Sequence, residues 1–440
     1  MSAPPAAEFS DDGTAGEAPD EAPDETSDET TAVPLTEPRD GVPSPLTDPA
    51  ALAEVVEVLR AGSGPVAVDA ERASGYRYGQ RAYLVQLRRA DVGTVLVDPV
   101  HLPDLSELGA AIAGDEWVLH AASQDLPCLR ELGMAPTRVF DTELAGRLLD
   151  HPRVGLGAIV ESVLGLTLEK GHSAADWSTR PLPEPWLRYA ALDVEVLVEL
   201  RDELAAELDE TGKREWAEEE FAALVAAEPA PPRVDPWRRT SGLHRVRKRR
   251  QMAVVRGLWL RRDEVARRRD IAPGRVLPDA ALVSAALAQP RTEQELTALP
   301  VWGGRSLRRQ VGTWLPAIVA ALELPDAELP ELKVAAEGPP PARSWPDRDP
   351  AAAARLSAAR TAIAAIADEH RLPVENLLAP DAVRRLCWQP PGGPTPSADE
   401  VAAFLRDHGA REWQVRLTAG VIAKALDRAH LHQEVGDPTA

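Results

Sequence analysis

In the run Val66-Ala67-Val68-Asp69-Ala70-Glu71 two acids stand two residues apart, a spacing that puts both carboxylates on one face of a β-strand. Carboxylates there are costly to bury unless water or a cation solvates them. Asp125, in HAASQDLPCL, opens a helix after an apolar strand, and Tyr189 and Asp193, four residues apart in YAALD, project from one side of a helix. Each feature has an ordinary reading. A D-x-E pair arises by chance in an acid-rich chain, Asp125 suits a helix start through the helix dipole, Tyr189 fits an amphipathic core, and Asp193 fits a solvated helix face. Their order and context change these odds: a D-x-E pair in the first strand, an acid opening a helix after the fourth, and Y-x-x-x-D in the final helix.

The elements that must carry these groups follow from local pattern. From Pro65 the runs PVAVDAE, AYLVQL and TVLVDP, separated by glycine-containing turns, predict three consecutive strands. An apolar-periodic helix over about 102–113, a strand at 117–120, a helix from Ser123, the short strand RVF and a helix entered at Asp141 follow. Three strands and then alternating helices and strands predict a mixed sheet flanked by helices in an α/β domain. Residues 184–208 predict one long helix that closes this domain. The break EPAPPRVDP ends it near 228–236, and a second linker, EGPPPARSWPDRD, separates two helical blocks. Both blocks run from a long Arg/Ala-rich helix through a central loop (RVLPD, ENLLAP) to an Ala/Leu helix, which suggests a duplicated helical module.

Net charge is −21, but it is unevenly distributed. Residues 1–40 hold 12 acids and one base, whereas 233–275 hold 15 bases and four acids. Residues 1–44, with almost no large apolar side chain, are expected to form a disordered acidic tail. The two cysteines, Cys128 and Cys387, support neither a disulfide framework nor a thiolate zinc site, so a reducing compartment is expected. No apolar run approaches the roughly 20 residues of a membrane span and no signal peptide is visible, which together predict a cytoplasmic protein with no membrane partner.

The acid set, with HAASQDLPCL, FDTELAGRLL, LGLTLEKGHSAADWSTRPL and YAALDV in this order, resembles the DEDD superfamily of 3′-5′ exonucleases in its tyrosine subgroup, and ribonuclease D within it. Gln124 stands where many relatives carry Glu, beside a core acid that is present. The resemblance implies a ribonuclease-H-like fold and two divalent cations, Mg2+ or Mn2+, about 3.5–4 Å apart that clamp the attacking and leaving oxygens of an in-line displacement. It implies that Asp69 bridges both ions, Glu71 and Asp193 hold the site of the attacking water, Asp125 binds the second ion through water, and Tyr189 orients the attacking water. Lys170, Ser173, Asp176, Trp177 and Arg180 fall where relatives line the substrate path, with structural roles open for Asp176 and Trp177. Gln86 is a candidate to face the bound terminus. Asp141 reads as an N-cap rather than a ligand. His120 and His172 could titrate near the site, although an isolated histidine is more often a hydrogen-bonded structural residue.

Residues 235–325 resemble the helicase-and-RNase-D C-terminal (HRDC) domain, and 350–430 a divergent copy, joined by a linker at 326–349. An all-α region therefore follows an exonuclease domain at 45–225. Arg245, Arg247, Lys248 and Arg249 are the expected RNA contacts of the first helical domain. Trp259, Trp302 and Trp314 read as core rather than as base-stacking groups, with Trp259 set amid Val254, Val255, Leu258 and Leu260. The implied activity is hydrolysis of RNA from its 3′ end, in tRNA or structured-RNA maturation. A DNA 3′-5′ exonuclease and an inactive binding scaffold are the alternatives, and contacts to the 2′-OH separate the first of them.

Overall fold

The computed structural model describes residues 32–169, 171, 172, 174–229, 231–333 and 338–436. The chain begins with a three-residue strand, β1 (Val33–Leu35), and helix α1 (Pro49–Ala61), then β2 (Val66–Arg72), β3 (Ala82–Arg89) and β4 (Gly93–Val97). Next come α2 (Ser106–Ile112), β5 (Glu116–Leu119), α3 (Leu126–Glu131), β6 (Arg138–Asp141), α4 (Thr142–Leu148), α5 (Leu156–Leu164) and β7 (Leu166–Leu168). Helices α6 (Glu184–Glu195), α7 (Leu197–Glu210) and α8 (Arg214–Ala226) complete the first domain. Its sheet has the order β4-β3-β2-β5-β6, with β2 antiparallel to β3, β3 antiparallel to β4, and β2, β5 and β6 mutually parallel. This is the mixed sheet that the sequence pattern predicts.

The two faces of β2 differ. Val66, Val68 and Ala70 enter a large core with Val85, Leu87, Trp117 and Leu119. Ala67 packs with Val118, Val194 and Leu197 on the face that also carries Asp69 and Glu71. The expected helix over 184–208 is broken at Val196, whose backbone lies at φ −104°, ψ −6°. Neither glycine nor proline sits there, and the break is tertiary. Helix α6 lies over β2, β3 and β4, while α7 packs on β5, α4 and α5, so one straight rod would leave one of these surfaces bare.

The expected boundary of the acidic tail is also corrected. Residues 33–35 pair in parallel with β7, Arg39 bonds Glu199 and pairs with Glu195, and Asp40 bonds Arg88 at 2.8 Å. Residues 32–44 therefore form a strap on the first domain, because pairing with β7 and three charged contacts offset the poor apolar content of the segment. Residues 1–31 lie outside the described residues.

The first helical block comprises α9 (Arg249–Arg269), α10 (Pro273–Val276), α11 (Asp279–Ala288), α12 (Glu293–Thr297), α13 (Arg305–Arg309) and α14 (Val311–Glu323) around its own core, in which Trp302 and Trp314 are fully buried. Trp259 is partly buried against the same core, so the core reading of these tryptophans holds. The second block comprises α15 (Trp345–Arg348), α16 (Pro350–His370), α17 (Val374–Leu377), α18 (Pro380–Trp388), α19 (Ala398–Asp407) and α20 (Glu412–Gly436).

The two blocks share backbone features. Each block's long helix ends on a left-handed residue, Asp270 or Arg371, and is followed by a four-residue helix and an extended leucine, Leu277 or Leu378. A buried arginine of each long helix, Arg262 or Arg355, donates to a carbonyl, that of Leu277 or Cys387. The expected linker at 326–349 ends early, since Trp345 is fully buried against Trp388 and belongs to the second block.

Both blocks dock on the first domain. Tyr78 bonds Asp263, Arg81 pairs with Asp270, and the amide of Ala272 bonds the carbonyl of Tyr76, which fixes the first block to the loop after β2. Trp413 stacks on Trp216 at 5.0 Å and donates to Glu220, which fixes the second block to α8. No helix among the described residues is long and apolar enough to cross a membrane.

Candidate functional site

Strand β2 and helix α6 build the centre of the site. Oxygen atoms of Asp69, Glu71 and Asp193 all lie within 4.8 Å of one another. Their convergence follows from two periodicities: the two-residue repeat of β2 presents Asp69 and Glu71 together, and α6 crosses that face with Asp193 pointing down. One turn earlier on the same side of α6, the Tyr189 phenol lies next to the Asp193 carboxylate, and each acts on the other. Asp125 arrives from α3, buried, at the edge of the same cluster, and its charge and that of Asp69 act on each other.

Burial is the leading cause of every pKa shift here. It raises Asp69, Glu71, Asp125 and Asp193, and mutual repulsion raises the last three further. Arg72 works in the opposite direction on Asp69, Glu71 and Asp125. Four carboxylates beside one guanidinium form a strongly unbalanced group in a low-dielectric setting, which a divalent cation with oxygen ligands would neutralise. The residues present fit such an ion. Burial, followed by the nearby acids, also raises the Tyr189 phenol above its ordinary range.

These shifts give a pH-dependent expectation. Acids whose folded-state values are raised stabilise the fold while protonated, and that contribution is lost as pH rises through those values. Cation binding requires the ionised form. The melting temperature should therefore rise more on adding Mg2+ at pH 8 than at pH 5.5, with chelator as the baseline at each pH. A rise of equal size at both, measured by differential scanning fluorimetry, would contradict the assignment of the cluster as a cation site.

The loop that carries Asp125 is held by Asp141, whose carboxylate accepts from the amides of Ala121 and Ala122 as well as from Glu143 and Leu144 at the start of α4. Asp141 is thus a structural cap, raised to about 6 by burial. His120 bonds the Thr142 hydroxyl, and burial lowers it to about 4, so it is a neutral structural group at neutral pH. Trp177 is fully buried with its indole N–H on the His172 carbonyl, and Asp176 bonds Ser178; both are structural. The His172 ring lies edge-on to Tyr189 at 5.9 Å.

Three residues expected to touch substrate are bonded within the protein or buried. Arg180 is consumed internally, bidentate to Asp98 at 2.7 Å and donating to the carbonyls of Tyr83, Trp177 and Thr179. Gln86 pairs in register with Asp69 and is 0% exposed, with neither amide atom hydrogen-bonded among the described residues. Arg249 holds the carbonyls of Leu329 and Pro330 and pairs with Glu331, pinning the chain that leaves α14. Arg245, Arg247 and Lys248 are exposed. Lys170 and Ser173 lie outside the described residues. Sequence reasoning missed Arg72, which pairs with Asp125, although a base directly after D-x-E was the signal for it.

Comparison with known proteins agrees with this geometry. Residues 43–209 match the family described as 3′-5′ exonuclease, 251–318 the HRDC domain, and 338–426 the 3′ to 5′ exonuclease C-terminal domain. The second block thus matches a family description of its own in place of the expected HRDC one. Ribonuclease D of Gluconacetobacter diazotrophicus is 31% identical over 360 residues, covering 80% of this chain and 88% of that protein. Ribonuclease D of Acidiphilium cryptum is 33% identical over 317 residues, 68% of this chain and 79% of that protein. A crystal structure of a protein from Bifidobacterium adolescentis superposes with a TM-score of 0.83 at 39% identity, covering 90% of this chain and all of that one. Escherichia coli RNase D, described as an exoribonuclease involved in structured RNA processing, gives a TM-score of 0.63 at 27% identity over 88% of this chain and 98% of that one.

Proposed function

Since the chain belongs to the ribonuclease D family and is a 3′-5′ exoribonuclease, we propose that Asp69, Glu71, Asp125, Asp193 and Tyr189 carry its chemistry, with two divalent cations, Mg2+ or Mn2+. The observation that carries this reading is the convergence of three carboxylates within 4.8 Å, with Asp125 beside them and the Tyr189 phenol next to Asp193. When bound, the ions supply Lewis-acid stabilisation to the in-line displacement at the terminal phosphodiester. Asp69, central in the cluster, would ligate both. Glu71 and Asp193 would hold the side from which water attacks, and Asp125 the side of the leaving oxygen. Tyr189, beside Asp193, would orient the attacking water through its hydroxyl. Raised above its ordinary value, the phenol keeps its proton at neutral pH and acts as a donor rather than as a base.

The substrate in this reading is single-stranded RNA at a free 3′ end, of the tRNA-precursor or structured-RNA class. 5′-labelled RNA and DNA strands, with free or blocked 3′ ends and with magnesium, manganese or chelator, test it. Single-nucleotide ladders from unblocked RNA in the presence of either cation are expected. Equal digestion of blocked strands, or activity in chelator, would overturn it.

Arg245, Arg247 and Lys248 are the proposed RNA-contacting bases of the first helical block, with Arg249 excluded by its structural bonds. Each phosphate neutralised on a single strand contributes about 0.7 to the slope of log affinity against log salt. Changing the three to Gln should flatten that slope by about two units and weaken binding at low salt, with melting unchanged. A wild-type slope in the folded variant would move RNA binding to the nuclease cleft alone.

A further inference from the structure

Arg72 directly follows Glu71 at the end of β2, where the pairing with β3 slips by one residue. Such an irregularity re-aims a side chain. The guanidinium lies against the loop before α3: Nη1 donates to the Gln124 carbonyl at 2.7 Å and Nη2 stands 3.3 Å from Asp125 Oδ1. Asp125 heads α3, yet its carboxylate makes no capping bond to the helix amides. Asp125 is therefore turned away from the role a helix-start acid usually fills and toward Arg72. The arginine side chain is 25% exposed and that of the acid 7%, so the pair sits at the rim of the buried cluster with the arginine on the solvent side.

The charges explain why a base stands there. Glu71 and Asp125 are buried and Asp69 and Asp193 half-buried, and a carboxylate taken out of water with no counterion is among the costliest groups a fold can hold. Arg72 supplies one positive charge at the carboxylate that lies outside the tight group of three. A divalent cation on Asp125 would meet this guanidinium as a like charge a few ångströms away, in a setting where such repulsion is weakly screened. One side chain thus lowers the cost of the ion-free site and opposes the ion that replaces it.

We propose that Arg72 is a resident counterion of Asp125 that yields this carboxylate to a divalent cation, so that its charge sets how tightly the cation on the Asp125 side is held. The inference rests on the reading of the four acids as a two-cation site. It makes the two ions unequal: one held tightly among Asp69, Glu71 and Asp193, the other more weakly beside Asp125 and Arg72.

Full-length protein titrated with Mn2+ alone, with free ion followed by electron paramagnetic resonance, tests this without any turnover. Wild type should bind two ions of different affinity. In R72Q, which keeps a donor for the Gln124 carbonyl but removes the charge, the weaker ion should bind about tenfold tighter, with the tighter ion changed less than about twofold. R72K, which retains the charge, should keep the wild-type affinities, and R72M serves as a second neutral variant in case R72Q misfolds. An unchanged or weaker second ion in a folded neutral variant overturns the proposal and leaves Arg72 as a prop for the Gln124 loop. Fewer than two ions on wild type would instead overturn the two-cation reading beneath it.

Discussion

Asp69→Asn and Asp193→Asn should each lower the rate of 3′-end hydrolysis by at least about a hundredfold while the protein stays folded. The two substitutions keep side-chain volume and remove one charge each from a cluster that is already over-supplied with negative charge. Burial raises both acids and repulsion raises Asp193 further, so neutralising either should hold or increase the stability of the ion-free protein. This sign separates the prediction from a folding defect. If the residues were structural, the loss of rate would accompany a lower melting temperature in chelator. If they hold cations, rate and cation-induced stabilisation fall together, and the chelated protein melts no lower than wild type. Binding of RNA at low salt should survive, because the exposed bases of the first helical block lie in another domain. Near-normal turnover by either folded variant, measured on a short unstructured RNA, would refute the assignment.

Tyr189→Phe should cost less, about tenfold to a hundredfold. Groups that position or transfer a proton contribute about 10²–10⁴-fold when they act directly, and a hydroxyl that only orients water falls at or below the lower edge of that range. The ring packs beside Trp177 and His172, and phenylalanine retains that packing. Because the phenol sits above its ordinary value and keeps its proton at neutral pH, the pH profile of the variant should follow that of wild type between pH 6 and 8 at a lower level. A profile that loses a basic limb in the variant would assign a proton-transfer role to the phenol. Wild-type turnover at saturating magnesium would make it a packing residue.

The parts of this site that were legible from sequence are those in which backbone period fixes direction. Asp69 and Glu71 had to share a face once PVAVDAE was a strand, and Tyr189 and Asp193 had to share a side once YAALD was a helix. The period does not show what lies across the gap. Gln86 was placed on the correct strand and in register with Asp69, but it is buried, a fact decided by packing rather than by the strand's own period. Arg180 had the charge of a phosphate ligand, and Asp98, 82 positions earlier, had already claimed it. The break at Val196 carries no glycine or proline signal because it answers to two packing surfaces rather than to local propensity. The strap at 33–40 escaped for a related reason. A three-residue strand has too little pattern to read, and its hold comes from Arg88, Glu195 and Glu199, distant residues that have no local trace.

The most direct test of the central claim is the position of the cations themselves. Crystals of the protein soaked in Mn2+ and measured at the manganese absorption edge should show two anomalous peaks about 3.5–4 Å apart, the first among Asp69, Glu71 and Asp193 and the second between Asp69 and Asp125. Asp69→Asn crystals treated in the same way should lose at least one of them. Peaks that lie elsewhere on the surface, with none between β2 and α6, would contradict the account.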